Sequence, residues 1–280
     1  MAEADPFLKR FGRNRPAAIG AVLLLAVTAG GLLAPMLSAP DPWAMVARPF
    51  LWPGSDPRFP LGTDMLGRDL LAGILHGARV SLLVGLIATA AAAFVGISIG
   101  ALAGYYGGRI DNLLMRLTEL FQIVPPFILA VVLVVILEPS VGTIILAIAA
   151  ISWPQLARLT RAEVLSIRER EYVEAAVSVG MSDRRIIFRE ILPNAAPPLL
   201  VSTSLAVATS ILLESSLSFL GLGDPNVMSW GTMVGAGREV LRSAWYVCAV
   251  PGVAILVTVL AINLVGEGLN DALDPKRRRR

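Results

Sequence analysis

One cysteine, one histidine and two lysines are all that this chain of 280 residues holds of those three types, and each scarcity removes a class of chemistry. Cys248 stands alone inside an apolar run, so the chain closes no disulfide of its own and builds no cysteine metal cluster. His76 has no second imidazole to share an ion with. Neither Lys9 nor Lys276 follows a glycine, and the pattern G-x-x-x-x-G-K-[ST] does not occur, so no P-loop is available to cradle ATP. Charge of either sign is thin: 16% of residues are charged against 55% hydrophobic, with a mean hydropathy of +0.70. A water-soluble domain does not have that composition. The net charge of +3 does not argue for nucleic acid, because the basic residues gather beside apolar segments, where membrane topology places them.

What the chain has instead is long apolar runs. About 20 mostly apolar residues are needed to cross about 30 Å of hydrocarbon, and six stretches qualify. They are Ala17–Leu37, Val80–Gly104, a third that starts polar near Asn112 and is fully apolar from Ile123 to Leu137, and Val141–Ala157. The fifth opens after "LPNAAPP" and runs to about Leu220, and Ala244–Val265 is the sixth. The expected fold is an all-α polytopic membrane protein with six transmembrane helices. Its expected organisation is an N-terminal segment 1–16, a first span 17–37, an external segment 38–79, a core 80–275 carrying a loop at 158–194, and a basic tail 276–280. The first run is longer than the apolar part of a signal peptide and lacks a good small-x-small cleavage site, so it reads as an uncleaved anchor.

Orientation follows from lysine and arginine, which are retained on the cytoplasmic side. With both termini inside, eighteen of these cations are cytoplasmic and six external. An even number of spans returns the basic tail "KRRRR" to the side of Lys9, Arg10, Arg13 and Arg15, so two signals agree.

The densest mixed-charge segment, "EYVEAAVSVGMSDRRIIFREILPN" (171–194), then falls in the cytoplasmic loop between spans four and five. Its first part is rich in good helix formers. Gly180 is placed to end that helix with a left-handed residue, and Ser182 or Asp183 to cap a second, shorter one that Pro193 ends. Ile186, Ile187, Phe188, Ile191 and Leu192 are too apolar for a free loop. They mark either a partner surface or a hairpin packed on the ends of its own spans.

The spacing of Glu174, Ala175, Ala176, Gly180, Ile186, Leu192 and Pro193 resembles the EAA signature of ATP-binding-cassette (ABC) importer permeases. Glu190 stands where such proteins often have histidine. Two further stretches, "LGTDMLGRDLLAGILHGARVSLLVG" (61–85) and "ESSLSFLGLGDPNVMSWGTMVGAGR" from Glu214, with its continuation to Pro275, resemble the C-type membrane subunit of the dipeptide/oligopeptide/nickel branch. The resemblance implies the type I importer permease fold and a non-catalytic subunit. It also implies a homologous second permease, two cytoplasmic ATPase subunits that bind ATP and magnesium, an external substrate-binding protein, and no cofactor in this chain. Short peptides are the implied cargo, with nickel chelates, opines or glutathione as branch alternatives and a self-sufficient channel or secondary carrier as the competing class. The scarcity of histidine and cysteine leaves little soft metal ligation along a path, which favours peptide. The residues implied in ATPase coupling are Glu174, Ala175, Ala176, Gly180, Ser182, Asp183, Arg185, Ile186, Phe188, Arg189, Leu192 and Pro193.

Several other features carry expectations of their own. Gly62 and Gly67 in "GTDMLGRD" supply unusual backbone angles, and Asp64, Arg68 and Asp69 are available to pair in a structural turn. Gly96, Gly100 and Gly104 form two G-x-x-x-G steps that permit close helix packing. The coincidental G-x-S-x-G of "GISIG" lacks the strand-to-helix elbow of a hydrolase. Glu214, an ionisable group at membrane depth, is a candidate for structural pairing or for the translocation path. Pro125, Pro126, Pro154 and Pro251 are placed to kink spans three, four and six.

Overall fold

The computed structural model describes residue 12, residues 14–38 and residues 41–273. Of the expected N-terminal segment only residues 12 and 14–16 are included. Lys9, Arg10, Arg13 and the tail 276–280 lie outside the described residues. The described residues form eleven helices and no strand: α1 (Arg15–Leu32), α2 (Ala34–Leu37), α3 (Leu70–Tyr106), α4 (Gly108–Ile123), α5 (Pro126–Leu137), α6 (Val141–Arg168), α7 (Glu171–Ser178), the single turn α8 (Asp183–Arg185), α9 (Leu192–Leu217), α10 (Trp230–Gly237) and α11 (Tyr246–Leu273). Wider π-helical turns, Ile186–Ile191 and Ser218–Leu222, flank α9. Five helical stretches are long and apolar enough to cross a membrane, and α4 with α5 makes a sixth that is bent by 81°.

The helix of the second span starts ten residues before the expected Val80, at Leu70. Asp69 caps it, accepting from the Leu71 N–H at 2.9 Å. Burial holds the Asp69 carboxyl above its ordinary value, against the pull of its backbone hydrogen bonds. The extra turns contain Arg79, a charge that argued against membrane helix. Its guanidinium donates to the carbonyls of Gly31 and Leu32 at 2.6 and 2.7 Å. Those are acceptors left without intrahelical partners at the end of α1, where a cation is also favoured by the helix dipole. At the other end of the bundle Asn14 at the start of α1 donates to Asp271 near the end of α11, at 3.0 Å. The first and last spans therefore begin and finish side by side, as an even number of crossings requires.

The centre of the molecule is the α3–α6 pair. A Cβ on Gly96 would lie 2.8 Å from Leu156 Cβ, one on Gly100 2.6 Å from Thr160 Cβ, and one on Gly104 2.9 Å from Val164 Cβ. Glycine at every fourth position thus lets the two backbones touch, as the G-x-x-x-G steps predict. The pair is locked at one end by Arg161, which forks onto both carboxylate oxygens of Asp111 in α4.

The third span bends where Pro125 and Pro126 are placed to kink it, sharply enough to divide into two helices at 81°. Pro125 has no N–H and stands just before the first residue of α5, so the chain leaves the helix at Val124 in extended geometry and restarts at Pro126. Pro154 and Pro251, by contrast, lie inside α6 and α11 without ending them.

Segment 41–69 closes the opposite end of the bundle. Gly62 and Gly67 adopt φ of +79° and +76°, with Leu51 O and Ala47 O where their Cβ atoms would be, so no other residue fits there. The expected Asp64–Arg68–Asp69 pairing is only partly realised. Asp64 and Arg68 approach to 4.0 Å, Asp69 is used as the helix cap, and the Arg68 guanidinium lies 4.7 Å from the centre of the Trp43 ring.

Asp224 ties this end together by accepting from the N–H groups of Asn226 (2.9 Å) and Val141 (3.1 Å). The Asn226 bond is the main reason its carboxyl is held below the ordinary 3.8, with burial opposing it. A depressed folded value means that the stabilisation is present above the unfolded pKa and is lost as pH falls through the folded one. Asp224→Asn is expected to melt below wild type at pH 6, with the gap closing as pH drops beneath 3.8. Thermal melts in detergent from pH 6 to pH 3 check this, and a gap of constant size would refute it.

Candidate functional site

The loop between α6 and α9 is built around one glycine. Gly180 has φ +81°, its N–H bonds to Val177 O at 2.9 Å, and the Met181 N–H bonds to Ala176 O at 3.1 Å. This is the double hydrogen bond of a Schellman cap. Ala176 and Met181, the pair that usually meets in such a cap, both pack on the nearby core. The chain turns sharply and enters α8.

The apolar residues divide between two faces. Val173, Ile186, Ile187 and Ile191 are buried with Ala101, Tyr105, Val164, Ile167, Ala195 and Leu199. Ile186, Ile187 and Ile191 therefore do not form a free partner surface; they pin the loop to its own spans. Ile186, expected in coupling, faces inward. The outward face carries Glu174, Ala175, Gly180, Ser182, Asp183, Arg185, Phe188, Arg189 and Pro193, while Ala176 and Leu192 are half-buried. Phe188 is 65% exposed, and Val179 and Val177 are also exposed, at 86% and 55%. The two valines were not among the residues singled out from sequence. Their signal was there: β-branched residues interrupt a helix otherwise made of strong helix formers.

Two local expectations fail. Neither Ser182 nor Asp183 caps α8 with its side chain: Ser182 holds the cap position by backbone alone, and the Asp183 carboxylate accepts from the Tyr105 hydroxyl at 2.9 Å. Nor does Pro193 end the short helix. Asp183–Leu222 is one helical run, and the fifth span has no separate start after "LPNAAPP". The π turn at 186–191 explains this. A proline within a regular helix collides with the carbonyl four residues back, whereas here the ladder is widened, with Leu192 N–H bonding to Ile187 O. The Asn194 side chain then donates to Glu190 O at 2.6 Å, so an acceptor beside the proline is satisfied.

Between the ends of α3 and α6 and the near side of α7 lies a groove of about 820 Å³, lined by Tyr105, Tyr106, Arg168, Glu169, Glu174 and Asp183 among others. Three of these are carboxylates facing a single arginine, so the groove favours a cationic visitor.

Glu214 lies far from the loop and is 1% exposed. It accepts from Ser218 Oγ at 2.8 Å, Ser81 Oγ at 3.2 Å and Ser215 Oγ at 3.4 Å. Ser81 Oγ in turn lies 3.4 Å from the Trp230 N–H, which opens α10. Hydroxyl donors thus satisfy the buried carboxylate and join α3, α9 and α10. Removing the acceptor leaves those donors unpaired, so Glu214→Leu is expected to destabilise by about 3 kcal/mol and Glu214→Gln by about 1 kcal/mol. Melting of the purified variants checks the order, and equal losses would contradict the cage. Among the described residues, no group of three or more His, Cys, Asp or Glu side chains is placed to hold a metal ion.

A bundle of five or six helical stretches long and apolar enough to cross a membrane, with a short helical loop packed on their ends, is the architecture of a multi-pass membrane protein. Residues 96–279 match the family described as the binding-protein-dependent transport system inner membrane component, and the chain belongs to that family. It is 42% identical over 276 residues to the di/tripeptide transport system permease protein DppC of Pseudomonas aeruginosa (strain UCBPP-PA14), covering 96% of this chain and 91% of that protein. It is 39% identical over 272 residues to the dipeptide transport system permease protein DppC of Haemophilus influenzae, covering 95% and 92%. A chain of the inward-facing MetNI methionine ABC transporter superposes with a TM-score of 0.60 at 18% identity, covering 70% of this chain and 93% of that one. The type I importer permease fold expected from the sequence is therefore the fold found.

Proposed function

We propose that this chain is one half of the membrane pathway of an ATP-driven, binding-protein-dependent importer of short peptides in the bacterial cytoplasmic membrane. The relatives named for dipeptide and di/tripeptide transport support the cargo. The arginine-rich end of the bundle faces the cytoplasm, on the positive-inside rule. A homologous second permease completes the pathway, two ATPase subunits bind ATP and magnesium beneath it, and a solute-binding protein delivers cargo outside.

The observation that carries this reading is the two-faced loop. Val173, Ile186, Ile187 and Ile191 anchor it inside, while Glu174, Val177, Val179, Phe188 and Arg189 face out. A large exposed aromatic between two arginine-bearing turns is a surface built for a protein partner. Glu174, Ala175, Ala176, Gly180, Ser182, Asp183, Arg185, Phe188, Arg189, Leu192 and Pro193 form or frame that docking surface, and Ile186 holds it in place. ATP-driven closure of the ATPases displaces the segment from Ser182 to Leu192, and the spans convert the shift into alternating access. Glu214 takes the structural pairing role, binding three helices into one unit.

The test is to express the chain with its second permease and the ATPases, purify in detergent and reconstitute with the binding protein. ATPase subunits should co-purify, and dipeptide uptake should require ATP. Conductance by the chain alone would favour a channel, and uptake of nickel chelate, opine or glutathione but not dipeptide would move the cargo within the branch.

A further inference from the structure

Besides the chain back through α7 to α6 and the apolar packing of Ile186 and Ile187 on the ends of α3 and α6, two directional links lead from the docking turn into the spans. The first is the helical run from Asp183 through the π turn into α9. The second is a single side-chain bond. Tyr105, at the end of α3, donates from its hydroxyl to Asp183, the first residue of α8, at 2.9 Å across 78 residues of sequence. Among the described residues no other side-chain hydrogen bond joins the 171–193 segment to the spans; Ser178 and Asn194 bond to carbonyls of Glu174 and Glu190, within the loop itself.

The position of Tyr105 gives that bond its consequence. It follows Gly104, the last of the glycines through which α3 lies against α6, so its backbone belongs to the tightly packed α3–α6 block. Its ring is 8% exposed, held among Val173, Ile186 and Ile187, with the Tyr106 ring edge-on at 5.2 Å. The residue also lines the groove. A phenol this closely packed is a short, stiff link between the end of α3 and Asp183.

We propose that Tyr105 is a positioning residue whose hydrogen bond to Asp183 makes the α3–α6 block move together with the docking turn. This rests on reading the 174–193 loop as the ATPase-docking site. Without the bond, α3 and α6 follow α8 only through non-directional apolar packing and the turn at Gly180, and the two halves of the subunit are driven less closely in step. The expected defect is poor coupling, with assembly intact.

The experiment uses the full complex, with second permease, ATPases and binding protein, in proteoliposomes loaded with ATP. Tyr105→Phe keeps the ring and its packing and removes only the donor. It should co-purify with the ATPases at the wild-type ratio and keep basal ATP hydrolysis within about twofold, while peptide moved per ATP falls about fivefold, the factor that one ordinary hydrogen bond represents. Asp183→Ala should show the same coupling loss, and adding Tyr105→Phe to it should cost nothing more. Asp183→Asn, whose amide oxygen still accepts the bond, should restore transport relative to Asp183→Ala. Wild-type transport per ATP in Tyr105→Phe, losses that multiply in the double variant, or failure of Tyr105→Phe to assemble would each overturn the proposal. Absence of the ATPases from the wild-type preparation would instead bring down the docking reading beneath it.

Discussion

A Gly180→Val variant is expected to lose most of its ATP-coupled transport while its spans melt at the wild-type temperature. A Cβ at this position meets nothing within 4 Å, so crowding is not the reason. The backbone is: φ is +81°, and a side chain in the left-handed region costs about 1–2 kcal/mol, more when it is β-branched. The Schellman cap opens to relieve that strain, and α8 with its outward residues leaves the orientation that the proposed ATPase docking requires. Gly180→Asn separates this from a generic loss, because asparagine tolerates the left-handed region and should retain most transport. Uptake and stimulated ATP hydrolysis in reconstituted complexes check both variants, and full transport by Gly180→Val would remove the case for a fixed docking geometry.

Gly100→Val should have the larger effect on stability. Its first added carbon would stand 2.6 Å from Thr160 Cβ and still closer to the Ala157 carbonyl oxygen. The second of these is backbone of the facing helix and cannot rotate away. α3 and α6 must separate along their length, at a cost of at least about 3 kcal/mol, while Gly100→Ala should cost about 1–3 kcal/mol. Melting in detergent and the yield of assembled complex measure it. A Gly100→Val protein with wild-type melting would show that the two backbones do not touch there.

The parts of this structure that could be read from sequence are those decided by composition or by one residue. Apolar runs placed the spans, the four-residue glycine spacing placed the α3–α6 contact, and Gly180 placed the cap. What could not be read depends on partners distant in the chain. Arg79 argued against helix before Val80 because nothing local shows that its charge is taken up by carbonyls at Gly31 and Leu32, 48 and 47 residues away. Pro193 signalled a stop, and the widened turn that carries the helix past it leaves no mark in the residue pattern. For the 171–194 loop, the sequence named the apolar residues but not their faces. Ile186 and Phe188 are equally apolar and, two residues apart on a helix, point to different sides; which side meets the core depends on where α3 and α6 lie, and it is Ile186 that is buried and Phe188 that is exposed.

The uninterrupted run from Asp183 to Leu217 has a mechanical consequence. At about 1.5 Å per residue it is about 50 Å long, well beyond the thickness of the hydrocarbon. A helical run of that length acts as a lever arm. Tilting it by about 5° about the Leu217 end displaces the Asp183 tip by about 4 Å, so modest rotations at one end and larger strokes at the other are the same motion.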